Sequence, residues 1–211
     1  MQTANIMALF SRLREGNPHP KSELTHHTPF ELLVAVVLSA QSTDVGVNKV
    51  TPALFAAAPD AHAMLKLGEE GIRQFIRTLG LFNNKARNLA LLCQQLVEHH
   101  DGQVPSDRES LEALPGVGRK TANVVLNVAF GQPTLAVDTH VFRVANRTGL
   151  VVAKTPEATE LQLLKVIPAE FLTHAHHWLI LHGRYVCKAR QPLCGQCPIE
   201  TWCEFDEKNR G

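Results

Sequence analysis

Four cysteines stand close together near the end of the chain, at the spacing Cys187-x6-Cys194-x2-Cys197-x5-Cys203. Four thiolates within 17 residues can close around one metal centre, and this constrains how the segment folds. In a reducing compartment such a group predicts metal binding rather than disulfides. Four-cysteine zinc sites commonly use two C-x2-C pairs, whereas here only Cys194 and Cys197 form one. The wider, unequal outer arms favour a [4Fe–4S] cluster, with a structural zinc site as the alternative.

Helical periodicity runs along most of the chain, and no alternating apolar and polar run is long enough for a sheet. Thr28-Pro29 and Ser42-Thr43-Asp44 are typical helix starts, the first leading into PFELLVAVVLSA, whose β-branched run would otherwise suit a buried strand. The pattern predicts an all-α protein. Cys93, in the apolar segment ALLCQQLV, is expected to be a packed core thiol. Further helices are predicted at about 69–79, 83–99, 107–113, 119–130, 138–148, 156–167 and 169–186.

The segment SLEALPGVGRKTANVVLNVAF (residues 110–130) predicts two helices joined by a tight PGVG turn. Glycines permit positive φ and close backbone approach, and N–H groups at such a helix start bind an anion such as a phosphate. A contact of this kind positions DNA without reading its sequence. A P-loop is excluded because Arg119 separates Gly118 from Lys120, and a dinucleotide fingerprint lacks its strand and third glycine. A plain helix-turn-helix connection remains an alternative.

Lys120 stands just inside the second of these helices, where a cation is unfavourably placed. Most lysines at such a position are solvated surface charges. The positive helix end favours the neutral amine, which is the form that attacks carbon and makes a Schiff base. Asp138, in LAVDTHVFR, follows 18 residues later and has the sequence of a good N-cap, which would also fix its carboxylate for catalysis. Asp44 and Glu112 are further carboxylates, and Glu112 is expected to act only locally.

Composition limits the protein's class. The formal net charge is +1, so any positive surface for DNA must be local. The longest apolar run, Leu32 to Leu38, has seven residues, against the roughly 20 that a membrane span needs. With no secretory signal pattern at its start, the chain is predicted to be cytoplasmic. His174, His176 and His177 do not share one helical face, and we expect surface or interdomain histidines rather than a metal site.

Together LPGVGRKTA, VDTHVFR, LSAQSTD and the cysteine tail make the chain resemble, nearly end to end, the endonuclease III family of iron–sulfur helix-hairpin-helix DNA glycosylases. The resemblance implies two α-helical domains with DNA bound at the cleft between them. Residues 22–132 would form a six-helix domain with the hairpin at about 108–128. Residues 1–21 and 133–211 would form a discontinuous domain around one structural [4Fe–4S] cluster held by the four cysteines.

The resemblance also implies a bifunctional base-excision repair enzyme that removes oxidised pyrimidines from duplex DNA. By the family pattern, Lys120 attacks C1′ of the damaged nucleotide, and Asp138 stabilises or helps generate the nucleophile and the developing positive charge. The Schiff base then undergoes β-elimination and nicks the strand 3′ to the lesion. Related adenine-excising glycosylases lack this lysine and carry an extra C-terminal domain, so the lyase branch fits. We expect a monomer, associated with the nucleoid in a prokaryote.

Damaged bases must leave the stack before C1′ is reachable, so a flipped base is expected. The family pattern places Gln41 in the emptied space and Leu81 as a wedge against the opposite strand. The alternatives are a surface amide for Gln41 and an ordinary loop leucine for Leu81. The basic residues near Leu81 predict a phosphate-facing rim or a solvated helix face: Arg73, Arg77, Lys85 and Arg87. The full set of expected DNA contacts is Gln41, Leu81, Gly116, Gly118, Arg119, His140, Lys188 and Arg190.

The cluster loop KARQPL carries only Lys188 and Arg190 as cations, a thinner charge than the family's usual loop, which predicts weaker or less salt-dependent DNA contact. Two other functions remain open at this point. One is a non-catalytic helical DNA-binding module with a structural metal. The other is an electron-transfer or redox-sensing protein that uses the cluster.

Overall fold

The computed structural model describes Met1–Arg210, and over these residues it contains only helices and connecting segments, which confirms the all-α prediction. Two short 3-10 helices near the end of the chain, Cys194–Gln196 and Glu200–Trp202, carry cysteine-containing turns. The α-helices are α1 (Thr3–Gly16), α2 (Pro29–Ser39), α3 (Asp44–Ala57), α4 (Ala61–Ile76), α5 (Phe82–His100), α6 (Arg108–Ala113), α7 (Arg119–Phe130), α8 (Thr139–Thr148), α9 (Pro156–Val166) and α10 (Ala169–Tyr185).

The chain divides into two compact units. The continuous unit is Ser22–Gly131 and contains α2 to α7. The discontinuous unit joins Met1–Lys21 to the residues from Gln132 onward, and so combines α1 with α8 to α10 and the cysteine segment.

Side-chain caps fix the starts of many helices. Thr28 accepts a hydrogen bond from the Glu31 N–H at 3.1 Å, and Thr43 accepts one from the Gly46 N–H at 3.1 Å. Each such cap stabilises a helix by about 0.5–2 kcal/mol, since it satisfies an otherwise unpaired donor. The helix starts predicted at these two threonines are confirmed.

The prediction for α4 was wrong at its start. The helix begins at Ala61 rather than near residue 69, because Asp60 caps it by accepting from the Ala63 N–H at 2.8 Å. Gly68, at φ 71° and ψ 173°, interrupts the helix and leaves a first piece of only about two turns. So short a piece gives too little periodicity to recognise, and the Asp60 cap was the signal that could have revealed it.

The continuous unit is built around α2, in which every residue from Leu32 to Leu38 is buried. The helix packs against α3, α5 and α7, so apolar side chains on all its faces find partners. Each fully buried Val or Leu contributes about 1.5–3 kcal/mol of transfer free energy. Despite this apolar character α2 has 11 residues, and within the described part of the chain no helix is long and apolar enough to span a membrane.

The discontinuous unit has a core made from both ends of the chain. Ile6, Leu9, Phe10 and Leu13, on one face of α1, are buried against α10. The rings of Phe10 and Phe171 stack with centroids 5.6 Å apart. Apolar burial along this α1 face therefore makes the first helix part of the same core as the C-terminal half.

Candidate active site and cluster site

The hairpin predicted from LPGVG joins α6 to α7, and its two glycines differ in conformation. Gly116 has φ 80°, and a Cβ there would lie 3.2 Å from the Cβ and the amide nitrogen of Asn88 on α5. Gly118 has φ −102°, and a Cβ there would meet nothing within 4 Å. The expectation of positive φ therefore holds at Gly116 alone, where both backbone and space require glycine.

The first turn of α7 is open to an external anion. No side chain among the described residues caps it, and both Gly116 and Gly118 are exposed. Val117 between them is buried, and its N–H donates to the Leu114 carbonyl at 3.1 Å, which anchors the turn. Helix N-termini of this kind present N–H groups and a positive partial charge to a phosphate.

Lys120 is exposed and is the second residue of α7. The helix is held rigidly because Ala122, Val125 and Leu126 are buried on α7, which packs against α2. A side chain on a packed helix is positioned more accurately than one on a loop. Lys120 is therefore a solvent-facing amine on a rigid element, directly behind the glycine turn.

Asp138 is the N-cap of α8, as its sequence predicted. Its Oδ1 accepts hydrogen bonds from the His140 N–H at 2.9 Å and the Val141 N–H at 2.8 Å. Both capping bonds go to one oxygen, so Oδ2 takes no part in the cap. The carboxylate is half-buried and follows the buried residues Leu135–Val137. Its position is thus fixed on both sides, by the helix and by the core.

The predicted site residues fall into two groups by unit. The continuous unit holds Gln41, Leu81, Gly116, Gly118, Arg119 and Lys120. The discontinuous unit holds Asp138, His140 and the four cysteines, together with the exposed Lys188 and Arg190.

Gln41 and Leu81 share a backbone conformation that their sequence did not reveal. Both are exposed and both lie in the left-handed region, with φ 53° and 57°. Neither residue type favours this region, and a non-glycine residue held there costs about 1–3 kcal/mol. Strain kept at exposed positions marks them as candidates for function rather than packing.

Lys85, four residues after Leu81, is neither on a phosphate-facing rim nor on a solvated face, so both alternatives for it were wrong. It is 5% exposed, and its Nζ donates to the Ser42 Oγ at 2.6 Å. Burial lowers the pKa of Lys85 below its ordinary value. Periodicity does not distinguish a lysine on the edge of an apolar face from one under a loop.

All four C-terminal cysteines line one cavity, together with residues that include Arg147 and His182. Within the described residues, no three or more His, Cys, Asp or Glu side chains are gathered closely enough to hold a single metal ion. Burial raises the pKa of Cys197 to about 11 and also raises that of Cys203. Thiolates there need a bound cation to become favourable, and four thiols around one cavity match the ligand set of a four-iron cluster.

Two arginines of α8, which the sequence interpretation did not identify, hold the backbone of the cluster loop. Arg147 donates from Nη1 to the Lys188 carbonyl at 2.7 Å and from Nη2 to the Ala189 carbonyl at 2.8 Å. Arg143 donates from Nε to the Cys187 carbonyl at 3.0 Å. Their i,i+4 spacing in VFRVANR was the available signal, since it places both on one face of α8.

The remaining cysteine and two of the three neighbouring histidines are core residues. Cys93 is fully buried, and burial raises its pKa to about 12, so it is an inert packed thiol as predicted. Of the surface or interdomain positions expected for the histidines, a surface position was wrong for His176 and His177, which are buried. The His176 Nδ1 lies 2.8 Å from the Ala136 carbonyl oxygen. These rings lie on the buried part of α10, and the residue type alone did not indicate their burial.

Comparison with known proteins matches two family models. The model of the HhH-GPD superfamily base excision DNA repair protein matches residues 34–169. The model of the iron–sulfur binding domain of endonuclease III matches residues 187–203, the span of the four cysteines. The second match confirms the [4Fe–4S] prediction over the zinc alternative.

Similar proteins match over nearly the whole length. Endonuclease III of Escherichia coli (strain K12) is 59% identical over 208 residues, 99% of each chain. Endonuclease III of Haemophilus influenzae (strain ATCC 51907 / DSM 11121 / KW20 / Rd) is 57% identical over the same length and share of each chain. A solved structure of a trapped endonuclease III–DNA covalent intermediate is 46% identical, with a TM-score of 0.90, and the match covers 97% of this chain and 96% of that one.

Proposed function

The chain belongs to the endonuclease III family of base excision DNA repair proteins, and from that premise we propose that it excises oxidised pyrimidines by attack of Lys120 on C1′. As a family member it is a DNA glycosylase with AP-lyase activity that acts on duplex DNA. A purely DNA-binding or electron-transfer function is therefore set aside. In a prokaryotic cell we expect the protein to act at the nucleoid, where its DNA substrate lies.

One observation carries the choice of nucleophile. Lys120 is an exposed amine at the start of a rigid helix whose first turn is uncapped and preceded by exposed glycines. A phosphate bound at that turn would hold the sugar of a neighbouring nucleotide near the amine. The neutral amine of a lysine is the nucleophile that forms a Schiff base.

The chemistry follows from the amine. The Lys120 Nζ forms a bond to C1′ while the N-glycosidic bond breaks, and the base leaves with the electron pair and takes up a proton. The attached Nζ then loses a proton, its lone pair forms a double bond to C1′ as the C1′–O4′ bond breaks, and O4′ takes up a proton, which gives a Schiff base between the lysine and the sugar. Loss of a C2′ proton expels the 3′ phosphate by β-elimination, which nicks the strand. Water hydrolyses the imine and releases the lysine.

Asp138 is proposed to stabilise the positive charge that develops at the sugar and at the lysine nitrogen. Its fixed carboxylate, with Oδ2 outside the cap, supports this role. A charge held in place before the reaction needs no reorganisation during it.

The discontinuous unit is proposed to be the iron–sulfur domain of the family, and the continuous unit its six-helix domain. When bound, the [4Fe–4S] cluster cross-links the cysteine segment and supplies no chemistry to bond breaking. The exposed Lys188 and Arg190 of the loop are proposed to contact phosphates, as are Arg119 and His140. With so few loop cations, the salt dependence of DNA binding from this loop should be modest.

Borohydride trapping tests the nucleophile. We expect a covalent adduct with duplex DNA that carries thymine glycol or an abasic site, because borohydride reduces the Schiff base to a stable amine. Lys120→Gln and Lys120→Ala should form none. Lys66→Gln, which changes an exposed lysine on α4 of the same unit, is the matched control and should trap normally.

The proposal fails if no adduct forms with the native chain, or if an adduct of equal yield survives in both Lys120 variants. A lesion panel scored for excision and nicking on the same samples identifies the accepted bases. If the chain excises and nicks only bases other than oxidised pyrimidines, the substrate assignment is wrong while the nucleophile stands.

A further inference from the structure

Two exposed, strained residues of the continuous unit stand on loops whose backbones are adjacent. Gln41 follows the end of α2, and Leu81 immediately precedes α5, where it is 53% exposed. A Cβ built at Gly80 would lie only 3.6 Å from the Gln41 carbonyl oxygen, so the two loop backbones are adjacent. The left-handed residues of both loops are therefore part of one local arrangement rather than two independent strains.

Lys85 connects these two loops. Its backbone N–H donates to the Leu81 carbonyl at 3.0 Å in the first turn of α5. Its side chain reaches the loop that carries Gln41, where Nζ donates to the Oγ of Ser42, the residue after Gln41. The buried Lys85 thus forms hydrogen bonds both to the backbone carbonyl of Leu81 and to the side chain of Ser42, which follows Gln41.

Joining the Gln41 and Leu81 loops through a buried ammonium group costs free energy of folding. Lys85 is 5% exposed, and burial lowers its pKa. In the described part of the chain its partner is a neutral hydroxyl, and no ion pair with a carboxylate is formed. Burying a charge without a counter-charge is costly, so an apolar residue would have packed here at less cost. The arrangement therefore indicates a requirement other than stability.

We propose that Lys85 is a positioning residue for damage recognition, whose hydrogen bond to Ser42 holds the Gln41 loop in register with the Leu81 loop. The inference rests on the proposed function and on the roles that the family resemblance implies, with Gln41 filling the space left by a flipped base and Leu81 parting the opposite strand. Both insertions must occur together, because a flipped base leaves its gap and its unpaired partner at the same moment. A shift of about 1 Å between the loops would separate them, and misplacements of that size cost about 100-fold in rate.

Two substrates separate positioning from a general loss of structure. The first is duplex DNA with thymine glycol opposite adenine, which requires both insertions. The second carries thymine glycol opposite a tetrahydrofuran residue, so no partner base has to be parted from the lesion. Single-turnover excision on the first should fall about 10- to 100-fold in Lys85→Met, and on the second by no more than about threefold. Lys66→Met, on the exposed face of α4, should leave both rates unchanged.

Lys85→Arg keeps the charge and a donor, and should restore part of the selective loss. Ser42→Ala is a smaller change that removes only the hydroxyl, and it should show a loss selective for the paired lesion. If the two residues act through one bond, Lys85→Met should have a smaller effect in the Ser42→Ala background than in the native chain.

Equal losses on both substrates, or no loss in either Lys85→Met or Ser42→Ala, would overturn the inference. Full additivity of the two substitutions would overturn it as well. Gln41→Ala and Leu81→Ala distinguish this from failure of the proposed function. If Leu81→Ala lacks selectivity for the paired lesion, or if Gln41→Ala leaves excision of both substrates unchanged, the insertion roles are wrong. If both roles hold and Lys85→Met is not selective, the coupling is wrong.

Discussion

Asp138 combines two tasks that a pair of substitutions separates. As the N-cap of α8 it receives two backbone hydrogen bonds on Oδ1. As a proposed catalytic group it must carry a negative charge. Asparagine retains a carbonyl oxygen for the cap and removes the charge, whereas alanine removes both.

The expected magnitudes follow from these contacts. Asp138→Ala should cost about 0.5–2 kcal/mol from loss of the cap, a fall of about 2–4 °C in Tm for each kcal/mol in a chain of this size. Asp138→Asn should lose only the interaction of the charge with the helix dipole, about 0.3–1 kcal/mol. Both should lower the single-turnover rate of excision by a similar factor of about 100 or more, since both remove the charge.

Thermal melting and single-turnover excision on the same preparations measure the two effects. Asp60, the exposed cap of α4, offers a matched control. Asp60→Ala should lower Tm and Asp60→Asn should barely do so, and neither should change the rate. If Asp138→Asn excises within about threefold of the native rate while Asp138→Ala does not, the carboxylate acts only as a cap and the catalytic reasoning is refuted.

Three further predictions follow from burial, backbone strain and the cluster. Burial lowers the pKa of His177 to about 4, with the nearby His174 adding to the shift, so the unfolded chain binds the proton more readily between about pH 6.5 and 4. The free energy of unfolding should therefore fall across that window as pH decreases, by roughly 2–3 kcal/mol. Denaturant titrations should show a flatter profile for His177→Gln but an unchanged one for the exposed His19→Gln. Gly116→Ala should lose about 1–2 kcal/mol of stability and Gly118→Ala almost none, because only the first has positive φ, and equal losses would contradict the turn geometry. Removing iron should bleach the brown visible absorbance and lower Tm, and a chain that melts unchanged without iron would show that the cluster does not stabilise the fold.

Features encoded within a short stretch of sequence were predictable. The four cysteines need only the local chain to line one cavity, since they lie within 17 residues. The span of α7 was predicted at residues 119–130, as observed, because a glycine stands at each end. The Asp138 cap is likewise local, since it joins residues two and three positions apart. Such interactions can be predicted without knowing how the rest of the molecule folds.

Features that depend on residues far apart in the chain were not predictable in this way. Nothing in TLGLFNNKA marks Leu81 as left-handed or Lys85 as buried, because both depend on the loop that carries Gln41 and Ser42, some 40 residues earlier. The burial of His177 depends in the same way on what packs around α10.

The sequence alone thus determined the class of fold, and it indicated the candidate cluster ligands and the candidate nucleophile, because ligand spacing, helix caps and the glycine turn act over a few residues. Only the tertiary structure decided that the two proposed DNA-inserting side chains stand on adjacent strained loops joined by a buried lysine. Strain at Gln41 and Leu81 persists only because packing from distant segments holds it. A charge such as that of Lys85 becomes costly only where the rest of the fold removes water from it.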